Sequence, residues 1–297
     1  SFTAFFEQEL RNHRLKPDSY KMYKLTLNKL KGFRKTIYFE DISFGLINEF
    51  DRYLFKQGLS TNSVKKHHDR LKTYINLAIK NDFLKIDQNP YIKFRVEGEE
   101  PDRVYLALEE VKLLEELIIP PDKKHLERIR DVFLMATYTG LRYGDVTSLT
   151  AAHVVRSKRG ITLNLKAGKT GKSLTLPLYF LFREDGAERS KPEEVICKYL
   201  KITEALGEEE GARNIPFFSV TNQYMNRSLK ELARMAGIKK NLTSHVARRT
   251  FATIMATKVK APVLQRLLQH ARPDMTNIYI QLSNHHIETE LEKIDWS

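Results

Sequence analysis

The sequence predicts a mainly α-helical protein with a small antiparallel β-sheet, divided into an N-terminal helical bundle and a larger second domain. Three observations support this fold class. Apolar residues recur at helical spacing over most of the 297 residues, they alternate within residues 160–179, and residues 96–102 (VEGEEPD) interrupt both patterns with Gly, Pro and three Glu. We therefore expect a bundle over residues 1–95, a linker over 96–105 and a second domain over 106–297.

Four amphipathic helices account for the first domain. The second helix opens at Pro17, the third ends before Gly58, and the fourth is capped by Ser60 and its neighbour Thr61. The four apolar stripes are Phe2, Phe5, Phe6 and Leu10; Tyr20, Tyr23, Leu27 and Leu30; Phe44, Ile47, Phe50 and Leu54; and Val64, Leu71, Tyr74, Ile75 and Ala78. Four helices with such stripes predict a compact bundle.

The second domain combines further helices with one hairpin. The hairpin is predicted by alternating Leu and Ile residues on both sides of a Gly- and Lys-rich turn within residues 160–179. Gly140 ends the helix that precedes it. The predicted helices occupy residues 106–119, 126–139, 192–206, 221–236, 244–256, 262–268 and 275–281, and a last helix covers 286–294.

The composition describes a folded, basic protein, with 50 Lys and Arg against 37 Asp and Glu and a formal net charge of +13. No apolar run approaches the ~18 residues of a membrane span, and the start of the chain carries acids where a signal peptide would carry bases. We therefore expect a cytoplasmic protein and no membrane partner. The single cysteine, Cys197, can form neither an internal disulfide nor a thiolate metal site.

Positive charge is concentrated in the first domain, where residues 1–95 hold 19 Lys and Arg against 10 Asp and Glu. This excess indicates a polyanionic partner, with nucleic acid as the first candidate and an anionic membrane surface as the second. The candidate phosphate contacts lie on the fourth helix, away from its apolar stripe: Lys65, Lys66, His68, Arg70 and Lys72. A solvated helix face explains the same pattern equally well.

Four segments of the second domain place polar residues at helix starts, turns or helix ends. They are residues 139–145 (TGLRYGD), the hairpin turn 169–172 (KTGK), residues 245–248 (HVAR), and His270 followed nine positions later by Tyr279. Each has an ordinary structural explanation when taken alone. A tyrosine between two isoleucines, for example, is more often a core residue than a nucleophile. The histidine pairs at 67–68 and 285–286 lack ligand spacing and are expected on helix surfaces, so we predict no metal and no other cofactor.

Taken together and in this order, the four segments resemble the motifs of the tyrosine recombinase (phage integrase) family. That family has a TGLR-type box, a lysine on a β-hairpin, an HxxR motif, a later histidine and a nucleophilic tyrosine about nine residues after it. The resemblance covers essentially the whole chain, including the basic bundle, and is greatest to the integrases of conjugative transposons and phages. Gln269 stands where the family usually has Gly, and Ala247 and Arg249 stand where Leu and His are usual.

The resemblance implies a site-specific DNA recombinase that cleaves and rejoins DNA through a 3′-phosphotyrosine intermediate. Its catalytic residues would be Arg142, Lys169, His245, Arg248, His270 and Tyr279. Two guanidiniums can bind the non-bridging oxygens of a pentavalent transition state with paired donors, and they stay charged at any working pH. Tyr279 would be the nucleophile, and positive charge beside a phenol favours its anion.

Two further assignments keep alternatives open. Lys169 would be the general acid that protonates the leaving 5′-oxygen, but Lys166 and Lys172 lie near it in the sequence. Asp145, three residues after Arg142, is either a partner that holds that guanidinium or an ordinary carboxylate at a helix N-terminus.

The resemblance also implies partners. They are double-stranded DNA held between two domains on a flexible linker, other copies of the chain in a homotetramer joined through the C-terminal helix, and accessory DNA-bending or excision proteins in a bacterial cytoplasm. The C-terminal helix packs back on its own domain in the alternative arrangement. Two other interpretations stay open: a type IB topoisomerase, which uses a similar set of residues as a monomer, and a non-catalytic DNA-binding protein.

Overall fold

The computed structural model describes residues 1–100, 103–168, 171–205 and 212–281. The chain divides into two compact units, Ser1–Asp102 and Arg103–Ser297. The secondary structure is mainly helical with one three-stranded antiparallel sheet, which confirms the predicted fold class. Within the described ranges, no helix is long and apolar enough to cross a membrane.

The first unit is a bundle of four helices. They are α1 (Phe2–Asn12), α2 (Pro17–Phe33), α3 (Phe44–Lys56) and α4 (Thr61–Lys80). The side chains of Ser1 and Ser43 accept hydrogen bonds from the main-chain N–H groups of Ala4 and Leu46 and so cap α1 and α3. Pro17 begins α2 because a proline lacks the N–H group that the first turn of a helix leaves unpaired.

Aromatic rings fill the core of this unit. Phe6 stacks on Tyr74 with ring centroids 3.7 Å apart, and the ring of Phe2 meets that of Phe6 edge-on at 6.2 Å. All three side chains are buried, whereas Tyr20 and Phe44 at the ends of their predicted stripes are exposed. The contact between Phe6 and Tyr74 joins α1 to α4, so the predicted apolar stripes do meet in one core.

The described part of the predicted linker lies against the start of α4. The hydroxyl of Thr61 donates to Glu99 Oε1 at 2.6 Å, and the side-chain amide of Asn62 donates to the carbonyl oxygen of Glu99 at 3.0 Å. The chain therefore stays in contact with the first unit as far as Glu99.

Two adjacent histidines of α4 correct the sequence analysis. His67 and His68 were expected on the helix surface, and His68 was also expected to contact DNA, but both are buried in the first unit. His67 Nδ1 lies 2.9 Å from the hydroxyl of Thr26, and His68 lies 2.8 Å from the hydroxyl of Tyr91 and 3.1 Å from Asp51 Oδ1. Burial lowers the pKa of both imidazoles to about 4. The buried face of α4 is wider than its apolar stripe, so the assignment of His68 to DNA is wrong.

The second unit contains eight helices among its described residues. Its described helices are α5 (Leu108–Glu115), α6 (His125–Thr139), α7 (Tyr143–Thr147), α8 (Lys191–Ala205), α9 (Asn222–Met235), α10 (Ser244–Ala256), α11 (Ala261–Leu267) and α12 (Asp274–Gln281). Helix α6 is buried along most of its length and packs on α10. The short helix α7 was not predicted, because five residues carry too little periodicity to be recognised.

The sheet has the strand order β1–β2–β3, with β1 at Val154–Ser157, β2 at Gly160–Lys166 and β3 at Ser173–Pro177. Leu163 on β2 lies opposite Val154 on β1 and Leu176 on β3. The predicted hairpin of β2 and β3 is confirmed. Strand β1 is an addition, since three of its four residues are exposed and so show no apolar alternation.

Candidate active site

The loop between α6 and α7 depends on one glycine. Gly140 ends α6 in the left-handed region at φ 66°, and a Cβ atom there would lie 2.3 Å from the ring of Phe251 on α10. Only glycine fits both the backbone conformation and the space. The next residue, Leu141, is buried in the core, and Arg142 precedes the first residue of α7. The start of α7 is therefore fixed close to α10.

Arg248 on α10 is a buried cation that joins three parts of the unit. Its Nη1 donates to the carbonyl oxygen of Gly140 at 2.6 Å, and its Nη2 donates to the carbonyl oxygen of Leu268 after α11. Burial lowers the pKa of Arg248 to about 10, and the positive charge of Arg142 acts in the same direction, whereas Tyr279 and Asp145 oppose it. Arg142, Tyr279 and Asp145 therefore all lie close enough to Arg248 to act on its charge, and Arg248 stays charged at neutral pH.

Arg142 contributes a second guanidinium whose hydrogen-bonding capacity is not used up. Its Nη1 is buried, and no described residue accepts a hydrogen bond from it. A buried donor without an acceptor is costly, and a group with five N–H donors suits a phosphate oxygen. The two arginines together form a positive pocket.

Asp145 has a different partner from the one considered in the sequence analysis. Its Oδ1 accepts a hydrogen bond from the main-chain N–H of Gly168 at 3.0 Å, and its Oδ2 has no hydrogen-bond partner among the described residues. The carboxylate is buried. Asp145 thus ties the start of α7 to the turn between β2 and β3 and, through its charge, supports Arg248 rather than pairing directly with Arg142.

His270 and Tyr279 meet on the same side of the pocket. Their rings are nearly parallel, with centroids 6.2 Å apart and an interplanar angle of 20°. Burial lowers the pKa of His270 to about 4, helped by the positive charges of Arg248 and Arg142. The imidazole is therefore neutral at pH 7. Tyr279 is half-buried, on the helix α12 that begins just after His270.

Thr276 is a member of the site that the sequence analysis missed. Its hydroxyl lies 2.9 Å from His270 Nδ1, and the side chain is almost fully buried. The hydroxyl has no other partner among the described residues, so this one contact holds the Nδ1 edge of the imidazole in place. The signal was present in the spacing, since Thr276 precedes Tyr279 by three residues and so shares its face of α12.

Gln269 explains how His270 reaches the pocket. It follows α11 in the left-handed conformation at φ 50°, and the N–H groups of Gln269 and His270 bond to the carbonyl oxygens of Arg266 and Gln265. This pair of bonds is the Schellman ending of a helix, a position usually held by glycine. The departure at residue 269 therefore keeps the backbone geometry that a glycine would supply.

His245 lies at the start of α10. It is exposed in the first turn of α10, three residues before Arg248 and so on nearly the same face. The preceding residue, Ser244, donates its main-chain N–H to Asn226 Oδ1 at 2.8 Å and its hydroxyl to Asn222 Oδ1 at 2.9 Å. These bonds fix the start of α10 against α9 and thereby the position of His245.

The candidate lysines occupy or flank the hairpin turn. Lys169 lies outside the described residues, as does the predicted C-terminal helix. Lys166 ends β2, Lys172 precedes β3, and both are exposed. The main-chain N–H of Ala167 donates to the carbonyl oxygen of Lys172 at 2.9 Å, which closes the turn beside Asp145 and Gly168.

The remaining cations assigned to DNA lie on α4 of the first unit. Lys66 and Lys72 are exposed, and Lys65 and Arg70 are half-exposed. Lys65 lies 3.2 Å from both carboxylate oxygens of Asp69. Within the described ranges, no three His, Cys, Asp or Glu side chains are grouped as metal ligands would be.

Comparisons with known proteins identify the family of both parts of the chain. The model of the phage integrase family matches residues 105–286, and the model of the phage integrase SAM-like domain matches residues 1–96. The tyrosine recombinase XerA of Pyrococcus furiosus is 28% identical over 258 residues, which cover 82% of this chain and 78% of that protein.

Two solved structures share the fold. The Tn1549 transposon integrase in complex with circular intermediate DNA has a TM-score of 0.74 and 16% identity, covering 99% of each chain. A lambda integrase tetramer bound to a Holliday junction has a TM-score of 0.73 and 18% identity, covering 94% of this chain and 76% of that one.

The two units and the grouped side chains define an enzyme of the tyrosine-type site-specific recombinases, which act on DNA. The chain belongs to the phage integrase family, because the family model matches more than half of its length.

Proposed function

We propose that this recombinase cleaves DNA with Tyr279 as nucleophile and rejoins it through a 3′-phosphotyrosine. The observation that carries the proposal is the gathering of two guanidiniums, Arg142 and Arg248, around His270, whose ring lies 6.2 Å from that of Tyr279 between centroids. Two adjacent cations repel each other in a site of low dielectric. A phosphodiester between them offsets this repulsion, and a transition state with more negative charge does so further.

The covalent step exchanges one diester for another. A bond forms between the Tyr279 oxygen and phosphorus, and the bond from phosphorus to the 5′-oxygen breaks. The phenol loses its proton, and the leaving 5′-oxygen gains one. A 5′-hydroxyl of a second strand then attacks the phosphotyrosine and reverses the same changes. The energy of the diester is kept, so the exchange requires no nucleoside triphosphate.

His270 supports this step as a neutral hydrogen-bond donor. Its pKa of about 4 keeps it uncharged at pH 7, and Thr276 holds Nδ1. Nε2 is then the nitrogen available to a phosphate oxygen or to the phenol. His245 adds a second imidazole at the exposed edge of the pocket.

We assign the general acid to Lys169 on the hairpin turn. The support for this assignment is the bond between Asp145 and the N–H of Gly168, the residue directly before Lys169. This bond holds the turn near α7 and hence near Arg142. Lys166 and Lys172 are the alternatives at the two ends of the turn.

The DNA partner extends to the first unit. Lys66 and Lys72 on α4, with the half-exposed Lys65 and Arg70, are proposed to contact phosphates. Solved structures of the same fold are bound to circular intermediate DNA and to a Holliday junction, the latter as a tetramer. We propose the same kind of assembly for this chain, as an integrase of a bacterial mobile element, with the C-terminal segment joining copies and accessory DNA-bending or excision proteins assisting.

Covalent trapping tests the proposal. The protein is incubated with a library of nicked duplexes of randomised sequence. Cleavage beside the nick releases the short fragment that carries the 5′-hydroxyl, so the reverse reaction is lost and the covalent adduct accumulates. We expect a covalent protein–DNA band on a denaturing gel, absent in Tyr279→Phe and retained in Tyr224→Phe, a matched change on α9. No band in the unsubstituted protein, or a band that persists in Tyr279→Phe, contradicts the assignment.

A further inference from the structure

A second positive cavity lies at the other end of the sheet. Its volume is about 970 Å³, and it is lined by the turn between β1 and β2, the segment after β3 and one face of α8. The turn contributes Lys158 and Arg159, and α8 contributes Cys197 and Lys201. None of these residues takes part in the candidate active site.

Strand β2 separates this cavity from the candidate active site. The cavity adjoins Gly160 at the first residue of β2, whereas the turn held by Asp145 follows Lys166 at the last. Seven residues of extended strand, at ~3.3 Å each, span roughly 20 Å. The cavity is therefore a separate site on the second unit.

The carboxylates that line the cavity are already occupied. Glu204 lies 2.7 Å from Arg156, and Glu188 lies 3.6 Å from Arg189. Glu193 is buried and accepts hydrogen bonds from the main-chain N–H groups of Ile161 at 2.8 Å and Ser190 at 2.9 Å. Each of the three already has a partner, and the lining holds six Lys and Arg side chains against these three Glu.

The cations are in excess. Lys158, Arg159 and Lys201 have no ion-pair partner among the described residues. Arg183 also lines the cavity and donates Nε and Nη2 to the carbonyl oxygen of Ala187. A concave surface with unpaired cations of one sign raises the local concentration of anions.

The floor of the cavity is built tightly. Gly160 adopts φ 132°, and a Cβ atom there would lie 2.4 Å from Glu193 Oε1 and 2.8 Å from Cβ of Tyr179. The turn between β1 and β2 is thus pressed against α8 and against the segment after β3. Cations on Lys158 and Arg159 project from a fixed backbone rather than from a free loop.

Two aromatic residues, Tyr179 and Phe180, line the same cavity as these cations. Phe180 is 72% exposed, and its ring lies 4.6 Å from that of Tyr179 between centroids. A large apolar ring left in water next to Lys and Arg is the combination with which proteins bind nucleotides, because every base has a face that stacks on an aromatic ring.

We propose that this cavity binds a nucleotide unit, with its phosphate at Lys158, Arg159 and Lys201 and its base on Phe180. The unit is either a free nucleotide or part of a single strand, since both present the same phosphate and base. The site is independent of cleavage at Tyr279.

Cys197 gives a local readout, because it is the one cysteine of the 297 residues and lines the cavity. Alkylation of the full chain by N-ethylmaleimide is followed by intact mass, with and without ligand. The ligands are pentathymidylate, thymidine 5′-monophosphate, a pentameric abasic phosphodiester and inorganic phosphate at equal phosphate concentration. We expect pentathymidylate to slow alkylation, with the two baseless ligands much weaker. Slowing by the monophosphate as well identifies a free nucleotide as sufficient, and slowing by pentathymidylate alone identifies a single strand.

Variants locate the binding. For each variant, the alkylation rate of Cys197 with ligand is divided by the alkylation rate without ligand. A change in the intrinsic reactivity of the thiol then cancels. Phe180→Ala should raise the half-protecting concentration of pentathymidylate about fivefold or more, and Lys201→Gln should act in the same direction. Lys239→Gln, an exposed lysine of the same unit outside the cavity, should leave it unchanged.

Three outcomes overturn the proposal: no protection by either base-bearing ligand, equal protection by the abasic pentamer, or equal effects of Phe180→Ala and Lys239→Gln. The proposed cleavage chemistry fails separately. Protection should persist in Tyr279→Phe, and covalent trapping should persist in Phe180→Ala, so each proposal can fail without the other.

Discussion

Arg248 illustrates how one residue can hold the fold together and also serve the chemistry proposed above. Burying a guanidinium is costly unless its N–H groups are satisfied, and here two of them are held by the carbonyl oxygens of Gly140 and Leu268. These bonds cross-link the ends of α6 and α11 to α10. The positive charge is therefore placed in advance, so that little reorganisation is needed when a phosphate arrives.

Arg142 supplies the planar fork that a lysine lacks. We expect Arg142→Lys to keep DNA binding within a few-fold and to slow covalent trapping by about 10²–10³-fold, because a single ammonium cannot donate in parallel to two phosphate oxygens. Gel shift measures the binding, and single-turnover trapping measures the rate.

The matched control for this change is Arg227→Lys on α9, where the guanidinium lies over the ring of Tyr224 at 5.4 Å and is not one of the candidate catalytic groups. This variant should form the covalent protein–DNA adduct at the rate of the unsubstituted protein. A rate for Arg142→Lys equal to that of the control would show that the paired donors are not needed.

Thr276 is expected to act through His270. Replacing it by the isosteric valine removes the hydroxyl that holds Nδ1 and leaves a buried nitrogen unpaired, at a cost of about 1–3 kcal/mol of unfolding free energy. We also expect trapping to slow about tenfold, because the imidazole loses its fixed tautomer. Thr276→Ser should restore both, and ¹⁵N NMR of the imidazole reports the tautomer directly.

Thr253 on α10 is a buried threonine whose hydroxyl, unlike that of Thr276, makes no hydrogen bond to a described residue. Thr253→Val therefore removes an unsatisfied group and should leave the unfolding free energy equal or higher. Equal losses in Thr253→Val and Thr276→Val would mean that the bond to His270 contributes nothing specific.

At the scale of elements, the position of α7 depends on how α6 ends. Gly140 supplies the left-handed turn, the close approach to Phe251 and the carbonyl oxygen that holds Arg248. The end of α11 uses the same backbone conformation at Gln269 to present His270. Two helix endings thus set the two sides of the pocket.

Gly140→Ala should destabilise the protein in two ways. The left-handed backbone costs about 1–2 kcal/mol for an L-residue, and the clash with Phe251 adds about 1–3 kcal/mol. Gly237, after α9, has a similar φ of 70° with nothing within 4 Å of an added Cβ, so Gly237→Ala isolates the backbone cost. Urea denaturation measures both variants. Equal losses would show that the contact with Phe251 is not tight.

At the scale of the whole molecule, the two units place ionisable groups differently. The second unit buries the guanidinium of Arg248 close to the half-buried Arg142, whereas the first unit buries two neutral histidines and leaves Lys66 and Lys72 exposed. His68 accepts from the hydroxyl of Tyr91 and donates to Asp51, so it bridges α3, α4 and the segment after α4. These bonds require an uncharged imidazole that is protonated on Nε2.

The buried histidines make stability depend on pH. The folded pKa of His67 and His68 is about 4 against an ordinary 6.5, so below pH 6.5 the unfolded chain takes up protons that the folded chain excludes. The unfolding free energy should therefore be unaffected by these groups above pH 6.5 and fall as pH decreases from 6.5 to 4, by on the order of 3 kcal/mol for each histidine. His270 adds to the slope through its similar shift.

Urea denaturation at several pH values measures this slope. His67→Gln removes one titrating group, so its slope between pH 6.5 and 4 should be shallower than that of the unsubstituted protein. A slope unchanged by the substitution would mean that His67 is protonated equally in the folded and unfolded chains.

Elements and chemistry were predictable from the sequence to different degrees. Apolar spacing predicted the helices and the β2–β3 hairpin, because a helix or strand face repeats at a fixed local period. Strand β1 and helix α7 were missed because four exposed residues and five residues give no such signal. On α4, the same periodicity gave the wrong environment for His68, whose hydrogen bonds come from α3 and from Tyr91.

The sequence by itself determined the order of elements, the basic first unit and the residue types of the catalytic motifs, since these are properties of neighbouring positions. The tertiary structure alone decided that Asp145 holds Gly168, that Arg248 joins two helix ends and that Lys158 and Lys201 share a cavity with Phe180. Such partners are 20 or more residues apart, and no local period specifies them. They meet only when the chain has folded and burial has made each unpaired charge or polar group costly.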